Sequence, residues 1–571
     1  MKATTYILKT IKSEGVDHVF LVPGGVMDPF LREFGEGTGV QGIVAAHEAG
    51  AAYMADGYAR ASQRFGVCMG IGGPGVANMV GPLAAAYADQ SPVLAIVGEV
   101  PTDWEGRGGF QDASPAGLND IGFLKTITEF AVETPIIELI PHHLNTAMHS
   151  MLGVELRPVV VSLPQQIQTQ ELDPNRLRSI QYLKETPRLL DRQAAMGLAS
   201  ALQKAEKFVI LAGNGAARSD ATDEMVAFAE KYCIPVATTL RAKGVFPEDH
   251  PLSLGVFGYA GTPHATQALL RHENDLLLVL GSSLNQRDTM VWNRALRPTH
   301  GIFQVDINPD VFDRSYPVDA SITSDVRELL EWLLNHEGMD FDEALKASQP
   351  ARESWVASIR KLPRFYDEET QTSDAVPMHP ARVVTELRRA TPRESVILVD
   401  SGAHRAFTGH HWTSYAPQQY LTSTMLAPMG WAIPAAVGAK TARPELPCVV
   451  VTGDGCMLMH GIELQTAAHH NLPIVIVVIN NSALGNVYLR AKQVSESAGN
   501  LTRLSTHNWA QFAQALGGDG VVVESPDQLP QAFDRAFQAT GPFVVDARCD
   551  PNFKTPITPW EQAKQEWVDD H

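Results

Sequence analysis

Two oxygen-bearing side chains stand where a diphosphate and a divalent cation could be held. The stretch from Cys448 to Tyr488 carries Gly453-Asp454-Gly455 and, further on, Asn480-Asn481. Aspartate and an amide oxygen are hard donors of the kind Mg²⁺ takes one or two at a time, completing its octahedron with water and phosphate oxygens. The glycines let a ligand approach the backbone, and a helix starting after Gly455 offers free N–H groups to phosphate. No Lys follows the glycines, which excludes the Walker loop. A third group, Glu48, follows a short apolar run and opens a helix of mostly small residues. That is a poor place for a carboxylate without a partner.

The flanking sequence says how these groups are carried. Val449–Thr452 and Ile474–Ile479 are β-branched apolar runs, with Ile462, Leu464, Ala467 and Ala468 between them at a roughly helical period. The segment therefore reads strand, helix, parallel strand, and both polar loops fall at the carboxyl edge of a sheet, where open parallel sheets bind ligands. In the amino-terminal third, strands are expected at Val19–Leu21, ending in Pro23-Gly24-Gly25; at Ile43–Ala45, ending in His47-Glu48; at Val67–Ile71, ending in Gly72-Gly73-Pro74-Gly75; and at Val93–Val97. A polar, Gly-rich loop from Glu99 to Asp112 follows. Strands at Phe208–Leu211, Val236–Thr238, Leu276–Leu280 and Ile302–Val305 make a second α/β unit, and Val396–Val399 starts a third.

Gly-Asp-Gly, a helix and a strand running to Asn-Asn resembles the diphosphate–metal motif of the thiamine diphosphate (ThDP) enzymes. His47-Glu48-x-Gly50-Ala51-x-x-Met54-Ala55-x-Gly57-Tyr58-Ala59-Arg60 is similar to that family's pyrimidine-domain motif. The resemblance implies Asp454, Asn481 and the carbonyl of Ala483 as metal ligands, and Glu48 as the group that hydrogen-bonds the aminopyrimidine ring. It further nominates Gly24, Gly25, Pro74, Asn78, Ala403, His404, Ala427, Met429, Gly453, Gly455 and Cys456 as cofactor contacts. Met429 holds the place of the apolar wedge that bends the cofactor. Phe110-Gln111-Asp112 looks like the Phe-Gln-Glu loop of acetolactate synthases, which makes Gln111 a candidate to face the reacting centre, and the loop has no paired histidines of the decarboxylase type.

The implied fold is α/β, with three doubly wound parallel-sheet domains: pyrimidine-binding (1–170), central (190–335) and diphosphate-binding (375–552), with a tail at 553–571. Linkers are expected over about 169–192 and 333–377. The implied activity is decarboxylation of a pyruvate-like 2-oxo acid and transfer of the acyl carbanion equivalent to a carbonyl acceptor, with ThDP and Mg²⁺. A decarboxylase releasing the aldehyde, a flavin oxidase and a non-catalytic ThDP-binding protein are the alternatives. Gly258–Thr262 and Gly281–Arg287 resemble the stretches that hold FAD in one branch, but related enzymes keep this domain without flavin, so FAD stays open. Family precedent puts the pyrimidine and diphosphate motifs of different subunits together, implying a homodimer or homotetramer. One departure stands out: the acceptor-selecting tryptophan after Asn-Asn is Arg490 here, which could receive an anionic acceptor. Trp560 and Trp567 are candidates for a closing lid.

Composition agrees with this class. The 571 residues, 44% hydrophobic and 19% charged, exceed what one core organises. A formal charge of −19 disfavours nucleic acid and anionic membranes as partners. Five scattered cysteines with no Cys-x-x-Cys pair argue for a reducing compartment and against structural zinc. With no signal peptide or run of about 18 apolar residues, a cytoplasmic location is expected.

Overall fold

The computed structural model describes residues 1–35, 37–173, 182, 189–271, 273–336 and 339–570. Among them, strands form three six-stranded sheets in which every neighbouring pair is parallel. The first holds β1 (His18–Leu21), β2 (Gln41–Val44), β3 (Gly66–Ile71), β4 (Val93–Glu99), β5 (Phe130–Glu133) and β6 (Val159–Pro164). The second holds β7 (Phe208–Ala212), β8 (Val236–Thr238), β9 (Ser253–Val256), β10 (Leu276–Leu280), β11 (Ile302–Asp306) and β12 (Ala320–Thr323). The third holds β13 (Val396–Val399), β14 (Tyr420–Thr422), β15 (Cys448–Gly453), β16 (Ile474–Asn480), β17 (Asp519–Val523) and β18 (Phe543–Arg548).

The first and third sheets share one strand order, β2-β1-β3-β4-β6-β5 and β14-β13-β15-β16-β18-β17. The second runs β12-β11-β10-β7-β8-β9. In each, the chain reverses its direction of travel between two adjacent central strands, leaving a crevice at their carboxyl ends. Those pairs are β1/β3, β7/β10 and β13/β15. Strands such as β6, β10 and β16 are buried at every residue, as all-parallel sheets covered by helices require.

The first and third units share a core, because the helix Glu48–Ser62 lies against the helix Ala432–Ala442 at backbone contact. A Cβ on Gly57 would fall 2.0 Å from the Ala435 carbonyl oxygen, and one on Gly438 would fall 1.8 Å from that of Met54. The small residues expected to permit close packing are therefore obligatory. The segment 333–377 differs from its reading as a linker. It contains a 20-residue helix, Asp340–Ile359, whose Phe341, Leu345, Trp355 and Ile359 are buried against the central unit. Its charges occupy the outer face, which is why composition alone resembled a linker. Most of the other expected linker, 169–192, lies outside the described residues. No helix among the described residues is long and apolar enough to cross a membrane.

Candidate functional site

The loops at the β13/β15 crevice converge. Asp454 opens the helix Asp454–His460 directly after β15 and is only 3% exposed. Its Oδ1 accepts from the Gly455 amide at 3.0 Å, whereas Oδ2 is buried without a hydrogen-bond partner. Burial pushes this carboxyl up to about 6, against the pull of the Gly455, Ser482 and Ala483 amides. Asn481, just beyond β16, accepts from Ala483 N at 3.2 Å through Oδ1. Ala403 and His404 start the helix after β13 and close the far wall. A Cβ on Gly485 would lie 3.0 Å from Ala403 Cβ, and one on Gly453 would lie 3.0 Å from His404 Nδ1. A Cβ on Gly455 would lie 2.9 Å from Met429 Cε. Ala427 and Gly430, flanking Met429, both take positive φ (54° and 82°), so the wedge residue rides on a tightly turned loop. Cys456, in the first turn of the same helix, donates from Sγ to the Ser401 carbonyl at 3.4 Å.

His404 is buried and held near 3 by desolvation first and by Arg405 second, so its imidazole is neutral at physiological pH. Its Nε2 has no partner. An orphaned acid oxygen and an orphaned imidazole nitrogen on one glycine-lined cradle are groups that await a ligand. A divalent cation fits the first and a phosphate oxygen fits the second.

The β1/β3 crevice gathers the other motif. Glu48 begins its helix after β2, with His47 Nδ1 accepting from Ala49 N as the cap. Asn78, from the helix Pro74–Ala88, donates from Nδ2 to Glu48 Oε2 at 2.9 Å. Space beside Glu48 exists because neighbours lack side chains: a Cβ on Gly75 would sit 3.6 Å from Oε1 and one on Gly70 would sit 3.8 Å from Cγ. Gly24 packs against Ile71 on the same edge, Gly25 opens a single 3₁₀ turn, and Pro74 is the first residue of its helix. Gln111 has φ 59° and brings its carbonyl to 4.0 Å from the Cβ position of Gly73. The structure thus brings Gln111 to the Glu48 side.

Two acids that the motifs did not flag hold these loops. Asp400, ending β13, accepts from Gly430 N and Ser401 N through Oδ1 (both 2.9 Å) and from Thr452 Oγ1 through Oδ2 (3.1 Å). It pins the turn after Met429. Glu463, fully buried in the third unit, accepts from the backbone of the first: Ala46 N and His47 N at 3.1 Å each, with Thr466 Oγ1 at 2.8 Å. An acid at a strand end was a visible signal for Asp400. Nothing local marks Glu463, whose partners in the first unit lie more than 400 residues away.

Both halves are therefore built on equivalent edges of two like-wound sheets. Models of the thiamine pyrophosphate enzymes match the chain three times: the N-terminal TPP binding domain over 1–118, the central domain over 196–333 and the C-terminal TPP binding domain over 400–547. The chain belongs to the thiamine pyrophosphate enzymes. Thiamine pyrophosphate is the same molecule as ThDP. This ThDP enzyme is 32% identical to the "Probable acetolactate synthase large subunit" of Methanocaldococcus jannaschii, over 98% of its own length and 94% of that chain. It is 32% identical to the acetolactate synthase large subunit of Corynebacterium glutamicum, over 96% and 86% of the two chains. Against the large subunit of Mycobacterium tuberculosis the identity is 30%, over 95% and 87%. It is an acetolactate synthase-like, ThDP-dependent enzyme.

Proposed function

We propose that this ThDP enzyme uses Mg²⁺, decarboxylates a pyruvate-like 2-oxo acid and joins the acyl unit to a carbonyl acceptor. The observation that carries the reading is Asp454 Oδ2, a buried carboxylate oxygen with no protein partner beside the Asn481–Ala483 turn. Asp454, the amide oxygen of Asn481 and the carbonyl of Ala483 are three hard donors suited to Mg²⁺, leaving coordination for water and diphosphate oxygens. When bound, ThDP supplies the carbon nucleophile and the electron sink for loss of CO₂.

The chain supplies posture and proton control. Glu48 would hold the aminopyrimidine ring nitrogen through a shared proton, and Asn78 fixes its carboxylate. Met429 is the wedge, held in place through Gly430 by Asp400. His404, its Nε2 unpartnered, would stand at the diphosphate wall, and Gln111 would be placed toward the 2-oxo acid. Arg490 is exposed on the helix Gly485–Val494, where it is electrostatically coupled to Glu561, and an anionic acceptor would take that acid's place. The active unit is at least a homodimer, and exposed Met425, Leu426, Leu458, Met459 and Ile462 beside the Met429 loop give it an apolar surface to bury.

A cavity of about 310 Å³ at the β7/β10 crevice, walled by Asn214, Gly215, Gly281, Ser282 and Asp306, fits the adenosine diphosphate half of FAD. Tyr259 is buried with Arg287 4.7 Å and Arg405 5.8 Å from its ring, and Trp560 packs 5.5 Å away across it. Trp567 sits 6.3 Å from Trp292, so the tail helix rests on the central unit. Visible absorption of the purified protein reads flavin occupancy directly.

The test is product analysis with pyruvate, ThDP and Mg²⁺, scoring acetolactate, aldehyde and peroxide separately. Acetolactate supports the carboligase; aldehyde or peroxide alone replaces it with the decarboxylase or the oxidase. Glu48→Gln is expected to abolish turnover while ThDP still binds. Full turnover in that variant rejects the role given to Glu48.

A further inference from the structure

All three units meet at a second cavity, of about 470 Å³, which adjoins the first and shares Asn214, Arg218, Arg241 and Ile307 with it. Its wall contains five cations, Arg60, Arg64, Arg218, Arg241 and Lys243, and no Asp or Glu. In a chain of formal charge −19 such a lining is not a by-product of composition.

Two of the five are neutralised from behind. Arg60 is paired with Asp56 at 2.8 Å and Asp89 at 3.0 Å, and Lys243 with Glu248 at 2.6 Å. The Asp89 carboxylate is then consumed by Ser423, Thr424 and Met425. The other three bond neutral oxygens: Arg64 to the Glu14 carbonyl, Arg241 to the Asp89 carbonyl, and Arg218 to the side chain and carbonyl of Gln90. Among the described residues no carboxylate lies within ion-pair distance of Arg64, Arg218 or Arg241. The acid acting most strongly on Arg218 is Asp306, which lines the neighbouring cavity, and on Arg241 it is Asp89, already ion-paired with Arg60.

Cations gathered around one cavity with fewer acids than charges raise one another's energy. Burial, then Arg241 and Arg60, bring Arg218 down to about 9. Arg218 is exposed and lines both cavities. Planar guanidiniums aimed into a cavity are the usual means of holding phosphate or carboxylate bidentately. Leu152, Val154, Pro417 and Leu421 give the wall an apolar portion, beside polar Gln63, Gln90, Asn214 and Gln418.

We propose that this three-unit junction is a binding site for a small organic phosphate, its dianionic head on Arg64, Arg218 and Arg241 and its apolar body against Leu152, Val154, Pro417 and Leu421. With Asp89 shared between Arg60 and Arg241, the charge left unpaired on Arg64, Arg218 and Arg241 calls for about two negative charges, which a phosphate monoester carries near neutral pH. The site is distinct from the diphosphate cradle, which lies at the β13/β15 edge.

Phenyl phosphate is the probe, titrated calorimetrically into the holoenzyme saturated with ThDP and Mg²⁺. One site per chain is expected, with inorganic phosphate binding more weakly and benzyl alcohol not at all. Arg218→Gln and Arg241→Gln should each weaken phenyl phosphate by about tenfold or more, as loss of a charge-assisted bond does. Arg64→Gln, at the exposed rim and outside both the cofactor cradle and the nucleotide cavity, should weaken it while leaving basal turnover and flavin absorbance unchanged. No binding at millimolar phenyl phosphate, or equal binding in all three variants, overturns the site. Inorganic phosphate binding as tightly as phenyl phosphate overturns the apolar half of the assignment.

Discussion

Replacing Glu463 by Gln tests whether the third unit holds the Glu48 loop of the first in place. The carboxylate receives two backbone N–H groups, one on each oxygen, and Thr466 shares the second oxygen. Glutamine keeps the length but turns one acceptor into a donor, so one charge-assisted bond is lost and one buried N–H is left unpaired. Together these cost about 3 kcal/mol, a factor of at least about a hundred in the local opening equilibrium. The residue freed is His47, and the next is Glu48. Hydrogen exchange over a peptide spanning residues 44–50 is the assay: protection of the Ala46 and His47 amides should fall by about that factor, and turnover should fall with it. Affinity for ThDP through the diphosphate cradle should hold. Gly50→Ala attacks the same contact from the other side, since its Cβ would sit 1.9 Å from Glu463 Oε1. Unchanged exchange at 46–47 in Glu463→Gln would refute the clamp.

Asp454→Ala should raise the Mg²⁺ concentration needed for ThDP binding by about tenfold or more, read by titrating ThDP at several Mg²⁺ concentrations. Removing Mg²⁺ with a chelator should release ThDP from the wild type but change little in that variant. Gly57→Ala should destabilise the contact between the helices Glu48–Ser62 and Ala432–Ala442 by several kcal/mol despite alanine's better helix propensity, because the Ala435 carbonyl cannot move alone; soluble yield and thermal midpoint report it. Burial pushes the Glu99 carboxyl up to about 7, with the Val100 and Ala113 amides pulling the other way. The folded protein then holds a proton there that the unfolded chain releases from about pH 4.5, so this stabilisation is full below 4.5 and fades as pH rises through 7. Glu99→Gln should flatten that decline by up to about 3 kcal/mol, measured as thermal midpoints between pH 5 and 8.

Local sequence carried the parts of the site. β-branched runs marked β15 and β16, and the residues just past them, Asp454 and Asn481, had to fall on a carboxyl edge whatever the rest of the chain did. The small residues of 49–61 announced a close helix contact for the same local reason. Short or half-exposed strands such as β5, β12 and β14 escaped notice because a three- or four-residue run lacks a readable period. The charged face of Asp340–Ile359 hid a packed helix.

What the linear chain could not state is who meets whom across hundreds of residues. Glu463 reaching Ala46 and His47, Asp89 gathering Ser423 to Met425, and three arginines facing one cavity all depend on how separate sheets are stacked. Periodicity and turn chemistry act over a few residues, so they determine elements and edge loops. Hydrogen-bond satisfaction and charge balance act only once distant segments are buried together, and so tertiary structure decided them.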